Sequence, residues 1–223
     1  MDMRPLFISL QIALLATALS FVLGLLAARL VYRAHGAWRY AADVLFSLPL
    51  VLPPTVVGFY LLVLFGKNGP LSAALSALSA SIIFTPTAAV IAATVVSFPL
   101  LYRAARAAFE QVDTQILAAA RTLGFSEWKI FFRLLLPLSR PGILGGLVLA
   151  FARALGEFGA TMMVAGNIPG KTETMPLAIY FAIAAGDMQT AAVWAAVITL
   201  VSAFGLGALN AYGARRAKKG ARV

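Results

Sequence analysis

The segment Asp113–Pro141, DTQILAAARTLGFSEWKIFFRLLLPLSRP, decides how the rest of the chain is arranged. It carries charges, but it lies between long apolar segments that extend toward both termini. Asp113 can cap the first of two short helices, and Gly124 can supply the left-handed residue that ends it. Ser126 can cap the second helix, which Pro137 stops. The pattern therefore predicts a helical hairpin hinged at Gly124.

The composition around this hairpin is that of an all-α integral membrane protein. Of the 223 residues, 61% are hydrophobic and 12% are charged, whereas ordinary soluble domains are about 45–50% apolar and about 25% charged. The net charge of +10 does not indicate nucleic-acid binding, because the basic residues cluster beside apolar segments, as cytoplasmic loops do. The chain has no cysteine, and its one histidine, His35, cannot form a metal site by itself.

Five apolar segments are long enough to cross a bilayer, which takes about 20 residues. We predict one transmembrane domain over residues 1–223, with spans at about 6–28, 44–65, 82–101, 142–166 and 191–212. A Ser/Ala-rich lead-in at 71–85 precedes the third span, and the cytoplasmic segment is 113–141. The apolar run 175–185 is too short to cross, so it predicts a re-entrant or interfacial helix. The first span is too long for a signal peptide and is expected to be retained.

The basic residues predict the orientation of these spans. The loop after the first span, the segment after the third and the C-terminal end hold three, six and five of the 18 basic residues. The opposite side holds Arg4, Lys67 and Lys171, and Arg153 lies within a span. Under the positive-inside rule this asymmetry places the N-terminus outside, and the hairpin and the C-terminus inside. An odd number of spans also disfavours a carrier built from two inverted halves.

Three prolines, Pro49, Pro53 and Pro54, interrupt the second span within SLPLVLPPTVVGFYLL, residues 47–62. Each proline removes a helical hydrogen bond, and in lipid the freed carbonyls need neighbouring helices or a water-filled cavity. We therefore predict a broken helix that faces protein or a pathway. A simple kink is the alternative.

Two opposite charges, Arg153 and Glu157, lie inside the fourth predicted span and share one helix face. An unpaired charge at that depth costs about 2.5–3.5 kcal/mol or more, so the two are expected to pair toward the bundle interior. Such a pair can fix helix packing, or it can help an anion pass and rearrange between conformations. The residues alone leave both interpretations open.

The segment AGNIPGKT, residues 165–172, differs by one residue from a nucleotide-binding P-loop, with Ala165 at the first glycine. A P-loop needs a preceding strand and a following helix. Here a membrane span precedes the segment, so a glycine- and proline-rich turn is the better interpretation. With a single histidine no Ser–His–Asp triad is possible. We expect no catalytic site in this chain and no cofactor.

The two hairpin helices each carry an apolar stripe. The first stripe contains Ile116, Ala119, Ala120 and Leu123, and the second contains Trp128, Phe131, Phe132 and Leu135. Amphipathic helices of this kind lie on a membrane surface or dock on a protein partner, and physical arguments favour neither.

The hairpin resembles the EAA motif of ABC importer permeases, which reads E-A-A, three residues, Gly, nine residues, Ile, one residue, Leu-Pro. With Gly124 as the motif glycine, two alanines and the final Leu-Pro match, but Ala118 replaces the glutamate and Leu134 the isoleucine. The resemblance implies coupling helices that dock on a separate ATP-binding subunit. The docking residues it implies are Ala119, Ala120, Leu123, Gly124, Phe125, Glu127, Trp128, Phe131, Leu136 and Pro137.

A second region, residues 151–180, is similar to molybdate permeases of the ModB type, and residues 47–62 resemble another of their signatures. The resemblance implies a type I ABC importer permease of the bacterial cytoplasmic membrane. The implied partners are a second copy of the chain, two ATP-binding subunits and a periplasmic or extracellular oxyanion-binding protein. The alternatives are a permease for sulfate, tungstate or another anion, a stand-alone channel or secondary carrier, and a membrane scaffold.

Overall fold

The protein is described from a computed structural model that covers residues 2–72 and 81–220, with the backbone alone over residues 208–220. These residues form helices and no strands, as the composition predicts. The helices are α1 (Arg4–Arg33), α2 (Gly36–Val51), α3 (Pro54–Phe65), α4 (Pro86–Glu110), α5 (Thr114–Thr122), α6 (Glu127–Leu138), α7 (Arg140–Leu155), α8 (Gly159–Ala165), α9 (Met175–Ala184) and α10 (Met188–Gly220).

Three helices are long and apolar enough to cross a membrane alone, namely α1, α4 and α10 over Met188–Gly207. Two further helix pairs pass the same test together but are sharply bent, by 111° between α2 and α3 and by 72° between α6 and α7. The described residues therefore contain up to five spans if each bent pair counts as one. The five predicted spans stay a prediction, and most of the predicted lead-in at 71–85 lies outside the described residues.

The break between α2 and α3 falls at the prolines. Pro49 lies inside α2, whereas Pro53 precedes the first residue of α3 and Pro54 begins it. The Pro53 carbonyl accepts the amide N–H groups of Val56 and Val57, so the new helix starts with its hydrogen bonds in place. A bend of 111° is far beyond a simple kink.

Helix boundaries differ from the predicted spans by several residues, and two of the differences concern α4 and α7. Thr85 caps α4, and its hydroxyl accepts the Ala88 N–H at 3.4 Å, so α4 begins at Pro86 and not at residue 82, where the third predicted span starts. The predicted fourth span, 142–166, is interrupted, because α7 ends at Leu155 and α8 begins at Gly159. No proline marks this second break, but Gly156 and Gly159 flank it, and glycine is a poor helix former.

Small residues hold the central helices together. Ala13 and Ala16 of α1 and Ala89 and Ala92 of α4 are completely buried. A Cβ atom on Gly146 of α7 would lie 2.5 Å from the Ala104 Cβ of α4. Membrane helices pack through such small residues, because lipid gives little hydrophobic drive for their association.

A hydrogen bond also joins α1 to α4. The hydroxyl oxygens of Ser20 and Ser97 lie 3.0 Å apart and are buried. Polar pairs of this kind add to small-residue packing between membrane helices.

A second hydrophobic cluster attaches the hairpin of α5 and α6 to the ends of α1 and α4. Tyr102 and Phe109 of α4 are fully buried in it, as is Val31 of α1. The hairpin contributes Leu117 from α5 and Phe131 from α6. The hairpin is therefore part of the folded body and not a loose loop.

Candidate docking hairpin and buried charge pair

Local hydrogen bonds build the hairpin as the sequence predicts. The Asp113 carboxylate accepts the Gln115 N–H at 2.8 Å and caps α5. Gly124 has φ +77°, and its N–H donates to the Arg121 carbonyl at 2.9 Å. The Phe125 N–H donates to the Ala120 carbonyl at 3.1 Å, which completes a Schellman helix end.

The second hairpin helix is irregular in its middle. Ser126 caps α6, with its hydroxyl accepting the Lys129 N–H at 3.4 Å. Residues Phe131–Leu135 form a π-helical turn, and α6 ends at Leu138, one residue beyond Pro137. The buried Ser139 hydroxyl then donates to the Ala108 carbonyl of α4 at 3.1 Å. The hairpin is thus bonded to α4 at the bend where α7 begins.

The hairpin has a buried face and an open face. Leu117, Ala120, Ile130, Phe131 and Leu135 are buried against the ends of α1 and α4. The open face carries large apolar side chains, namely Ile116, Leu123, Trp128 and Phe132, and Leu123 is 75% exposed.

This division differs from the predicted stripes, and the docking set stays a prediction. Ala120 and Phe131 belong to the buried face, because α5 turns Leu117 and Ala120 inward together. Among the other residues of the set, Ala119, Leu123, Gly124 and Trp128 are exposed. Four are partly exposed, namely Phe125, Glu127, Leu136 and Pro137.

Glu127 joins the two hairpin helices to α1. Its carboxylate accepts a hydrogen bond from the Arg121 Nε at 2.7 Å, and its other oxygen lies 3.6 Å from the Arg33 Nη2. The hydrogen bond from Arg121, with the nearby positive charges, lowers the pKa of Glu127 from its ordinary value. The same contact raises the pKa of Arg121.

A second charge network ties α2 to α4, and the sequence did not predict it. The Asp43 carboxylate pairs with Arg106 and accepts a hydrogen bond from the Tyr102 hydroxyl at 2.7 Å. Glu110 accepts from the Arg106 Nε at 3.0 Å and from the Arg39 Nη2 at 2.7 Å. The i, i+4 spacing of Arg106 and Glu110 was the available signal, but the partners on α2 are distant in sequence.

The predicted pair of Arg153 and Glu157 is present at the end of α7. Arg153 Nη1 lies 2.7 Å from Glu157 Oε2, and the Glu157 side chain is 1% exposed. The other carboxylate oxygen accepts the Ala160 N–H at 2.8 Å. Glu157 therefore neutralises Arg153 and also caps α8, where the helix dipole favours a negative charge.

Residues 166–172 form a tight turn that follows α8. Gly166 and Gly170 have φ of +63° and +71°, which glycine tolerates. The Thr172 hydroxyl donates to the Gly166 carbonyl at 3.1 Å and accepts the Ile168 N–H at 3.0 Å. A helix, and no strand, precedes the turn, so the architecture of a nucleotide-binding P-loop is not formed here.

Helix α9 follows this turn and is tied to α1. The Met175 N–H donates to the buried Ser9 hydroxyl at 2.8 Å.

Among residues 2–72 and 81–220, no three His, Cys, Asp or Glu side chains lie close enough together to hold a metal ion.

Comparison with known proteins shows relatives along nearly the whole chain. Residues 20–219 match the family of binding-protein-dependent transport system inner membrane components. The protein YvgM of Bacillus subtilis (strain 168) is 46% identical over 199 residues, which are 89% of this chain and 88% of that protein. The molybdenum transport system permease protein ModB of Escherichia coli (strain K12) is 42% identical over 203 residues, 91% of this chain and 89% of that protein.

A solved structure shares the fold. A bacterial alginate ABC transporter, crystallised in complex with an alginate pentasaccharide-bound periplasmic protein, has a chain that matches 96% of this chain over 78% of its own length. The TM-score is 0.77 at 16% sequence identity.

Proposed function

The chain belongs to the family of binding-protein-dependent transport system inner membrane components, and we propose that it is the permease subunit of an ATP-driven importer of molybdate. The similarity to ModB over 91% of the chain supports molybdate as the transported anion. The geometry of the hairpin carries the proposal. One of its faces is packed on α1 and α4, and its other face presents uncovered Leu123 and Trp128.

The open face is the proposed dock for the ATP-binding subunit. Leu123 and Ile116 present apolar surface beside the small exposed Ala119, which lets a partner approach closely. Exposed apolar patches of this kind mark interaction sites, so we expect a partner to cover these residues in the complex. Glu127 lies at the edge of this surface and remains partly exposed.

The buried face transmits movement from the dock to the spans. A displacement of α6 reaches α4 through Phe131 and through the Ser139 hydrogen bond to Ala108. It reaches α7 directly through the 72° bend. ATP binding and release by the partner would thus bias two arrangements of the spans, which is how ligand energy drives a conformational switch.

We further propose the remaining partners and the orientation. Two copies of the chain form the central pathway, each docks one ATP-binding subunit, and an oxyanion-binding protein delivers molybdate from outside. The excess of basic residues on the hairpin side supports a cytoplasmic hairpin and C-terminus and an external N-terminus.

The pair of Arg153 and Glu157 has two candidate roles. The Glu157 carboxylate accepts the Ala160 N–H, which supports a packing role at the α7–α8 break. The partial exposure of Arg153 supports a role in passing the anion. The double replacement Arg153→Gln with Glu157→Gln removes both charges, and normal transport by that variant would assign the pair to packing.

Reconstitution tests the dock. The permease, its ATPase and its binding protein are placed in liposomes, and uptake of radiolabelled molybdate is measured with ATP hydrolysis. Leu123→Asp puts an unpaired charge into the proposed interface, so we expect ATPase co-purification and uptake to fall by at least about tenfold. Gln115→Asp, at an exposed site of α5 in the same hairpin, is the matched control and should retain both.

Other outcomes separate the alternatives. Uptake by the permease alone, without ATPase or ATP, would contradict the importer and indicate a channel or carrier. Equal competition by sulfate would contradict molybdate selectivity while leaving the importer intact. Normal coupling in Leu123→Asp would exclude this face as the dock.

A further inference from the structure

A cavity of about 460 Å³ lies where the end of α1 meets the hairpin. Its floor is apolar, from Leu117 and Phe131 among others. Its polar lining comes from α1, the loop after α1, α5 and α6, and consists of Arg29, Tyr32, Arg33, His35, Arg121 and Glu127.

The lining carries an excess of positive charge. Three guanidinium groups face one carboxylate, that of Glu127, so two positive charges remain even with His35 neutral. Glu127 is engaged by Arg121 at 2.7 Å and by Arg33 at 3.6 Å. Arg29 has no share in either contact.

Arg29 is the unusual member of this lining. It is only 6% exposed, and both of its terminal nitrogens are buried without a hydrogen-bond partner. Its guanidinium lies 3.6 Å from the centre of the Trp128 ring and 4.2 Å from that of Phe131. The aromatic faces stabilise the charge but do not accept its in-plane N–H groups. A buried guanidinium with free donors calls for an acceptor in the cavity.

We propose that this cavity binds a tetrahedral oxyanion group, either a free inorganic anion or the phosphate of an anionic lipid headgroup. Arg29 supplies the buried donors, and Arg33 and Arg121 close the site from α1 and α5. Arginine forks match the oxygen edges of phosphate-like anions, which strengthens such contacts. The volume exceeds that of a bare tetraoxyanion and leaves room for water or for a headgroup.

Occupancy of the site would have a structural consequence. Its walls belong to α1, α5 and α6, so a bound anion holds the hairpin against the end of α1. The bound anion would therefore stabilise the folded position of the hairpin by mass action. The cavity and its arginines are the same whichever substrate the permease carries.

Direct binding tests the site. The full-length permease is purified in an uncharged detergent, stripped of lipid and titrated with radiolabelled inorganic phosphate. We expect saturable binding by the unmodified chain. The double variant Arg33→Gln with Arg121→Gln should bind at least about tenfold more weakly, because it loses two charged donors. Arg133→Gln, an exposed arginine of the same hairpin outside the cavity, is the control and should bind normally.

A lipid arm identifies the source of the group. Native mass spectrometry with added phosphatidylglycerol should show one lipid retained by the unmodified chain and lost in the double variant, if the headgroup fills the site. Phosphate binding that phosphatidylglycerol does not displace would assign the site to a free anion.

Two results would overturn the proposal. One is the absence of both saturable phosphate binding and retained lipid. The other is an equal loss in Arg133→Gln, which would indicate diffuse surface charge rather than a site. Thermal unfolding of each variant confirms that a loss of binding is not a loss of fold.

Discussion

The hairpin and the α7–α8 break use the same chemical device in two different surroundings. In each, a glutamate at the start of a helix pairs with an arginine upstream, Glu127 with Arg121 and Glu157 with Arg153. The Glu127 side chain is 39% exposed, whereas that of Glu157 is 1% exposed. Water can replace the partner of the first carboxylate but not that of the second.

We call these two regions the hairpin joint, with Arg121 and Glu127, and the α7–α8 joint, with Arg153 and Glu157. The difference in exposure indicates that the α7–α8 joint is fixed and the hairpin joint is adjustable. Removing one partner of a buried ion pair costs about 3–5 kcal/mol, whereas an exposed pair contributes about 0.2–1 kcal/mol. The α7–α8 joint is therefore expected to keep its geometry during transport. The hairpin can exchange its surface contacts for those of a docked partner at small cost.

The largest expected effect is at Glu157. Glu157→Ala leaves Arg153 unpaired and removes the carboxylate that accepts the Ala160 N–H. The free energy of unfolding should therefore fall by about 3–5 kcal/mol. Unfolding in detergent micelles measures it. The double variant with Arg153→Ala should recover part of the loss, since no charge is left alone. A loss below about 1 kcal/mol would mean that the pair of Arg153 and Glu157 contributes no more than an exposed ion pair does.

The packing of α8 on α3 gives the next effect. A Cβ on Gly58 would lie 2.8 Å from the Met163 Cβ and 2.9 Å from the Ala160 Cα, and neither atom can swing away. Gly58→Ala should therefore destabilise the protein by about 1–3 kcal/mol.

Gly145→Ala is the control for this packing test. Nothing lies within 4 Å of a Cβ at Gly145, which is inside α7. That variant should be neutral or more stable by up to about 1 kcal/mol through helix propensity. Equal effects of the two alanines on unfolding would show that the α3–α8 contact is looser than its geometry indicates.

In both joints, the sequence predicted the features that depend on residues close together in the chain. The hairpin was predicted because its signals are local: Asp113 and Ser126 cap their own helices, and Gly124 ends one. The pairing of Arg153 with Glu157 was predicted for the same reason, at a spacing of four residues.

The features that the sequence did not predict depend on tertiary contacts. The break after Leu155 has no proline. The first turn of α8 after it is bonded to Glu157, which the sequence analysis assigned to a continuous span. The bond from Tyr102 to Asp43 joins residues 59 positions apart. The inward face of α5 also depends on how the helix packs, which its own stripe did not determine.

Substitution of Gly124 tests whether the hairpin joint depends on the left-handed backbone conformation at this residue. Its φ of +77° disfavours a β-branched residue, although nothing lies within 4 Å of a Cβ there. Gly124→Val should cost about 1–2 kcal/mol through conformation alone, and it should uncouple ATP hydrolysis from molybdate uptake by shifting Leu123. Gly124→Asn tolerates this conformation and should stay coupled. Normal uptake by the valine variant would remove the hinge role from Gly124.

The smallest expected effect is at the exposed pair itself. A double-mutant cycle of Arg121→Ala and Glu127→Ala should give a coupling energy of about 0.2–1 kcal/mol at pH 7. The pKa of Glu127 is lowered in the folded protein from an ordinary value of 4.5, chiefly by its hydrogen bond from Arg121. The coupling should therefore be complete above that value and should disappear as the pH falls through the lowered pKa.

Thermal unfolding of the four chains at pH 7 and at acidic pH measures this coupling. Because Arg33 also lies 3.6 Å from Glu127, the single variant Arg121→Ala should lose less than the whole contribution of the carboxylate. A coupling energy near 3 kcal/mol at pH 7 would be of the size expected for a buried pair. It would mean that the hairpin is as fixed as the α7–α8 joint, and the contrast between the two joints would fail.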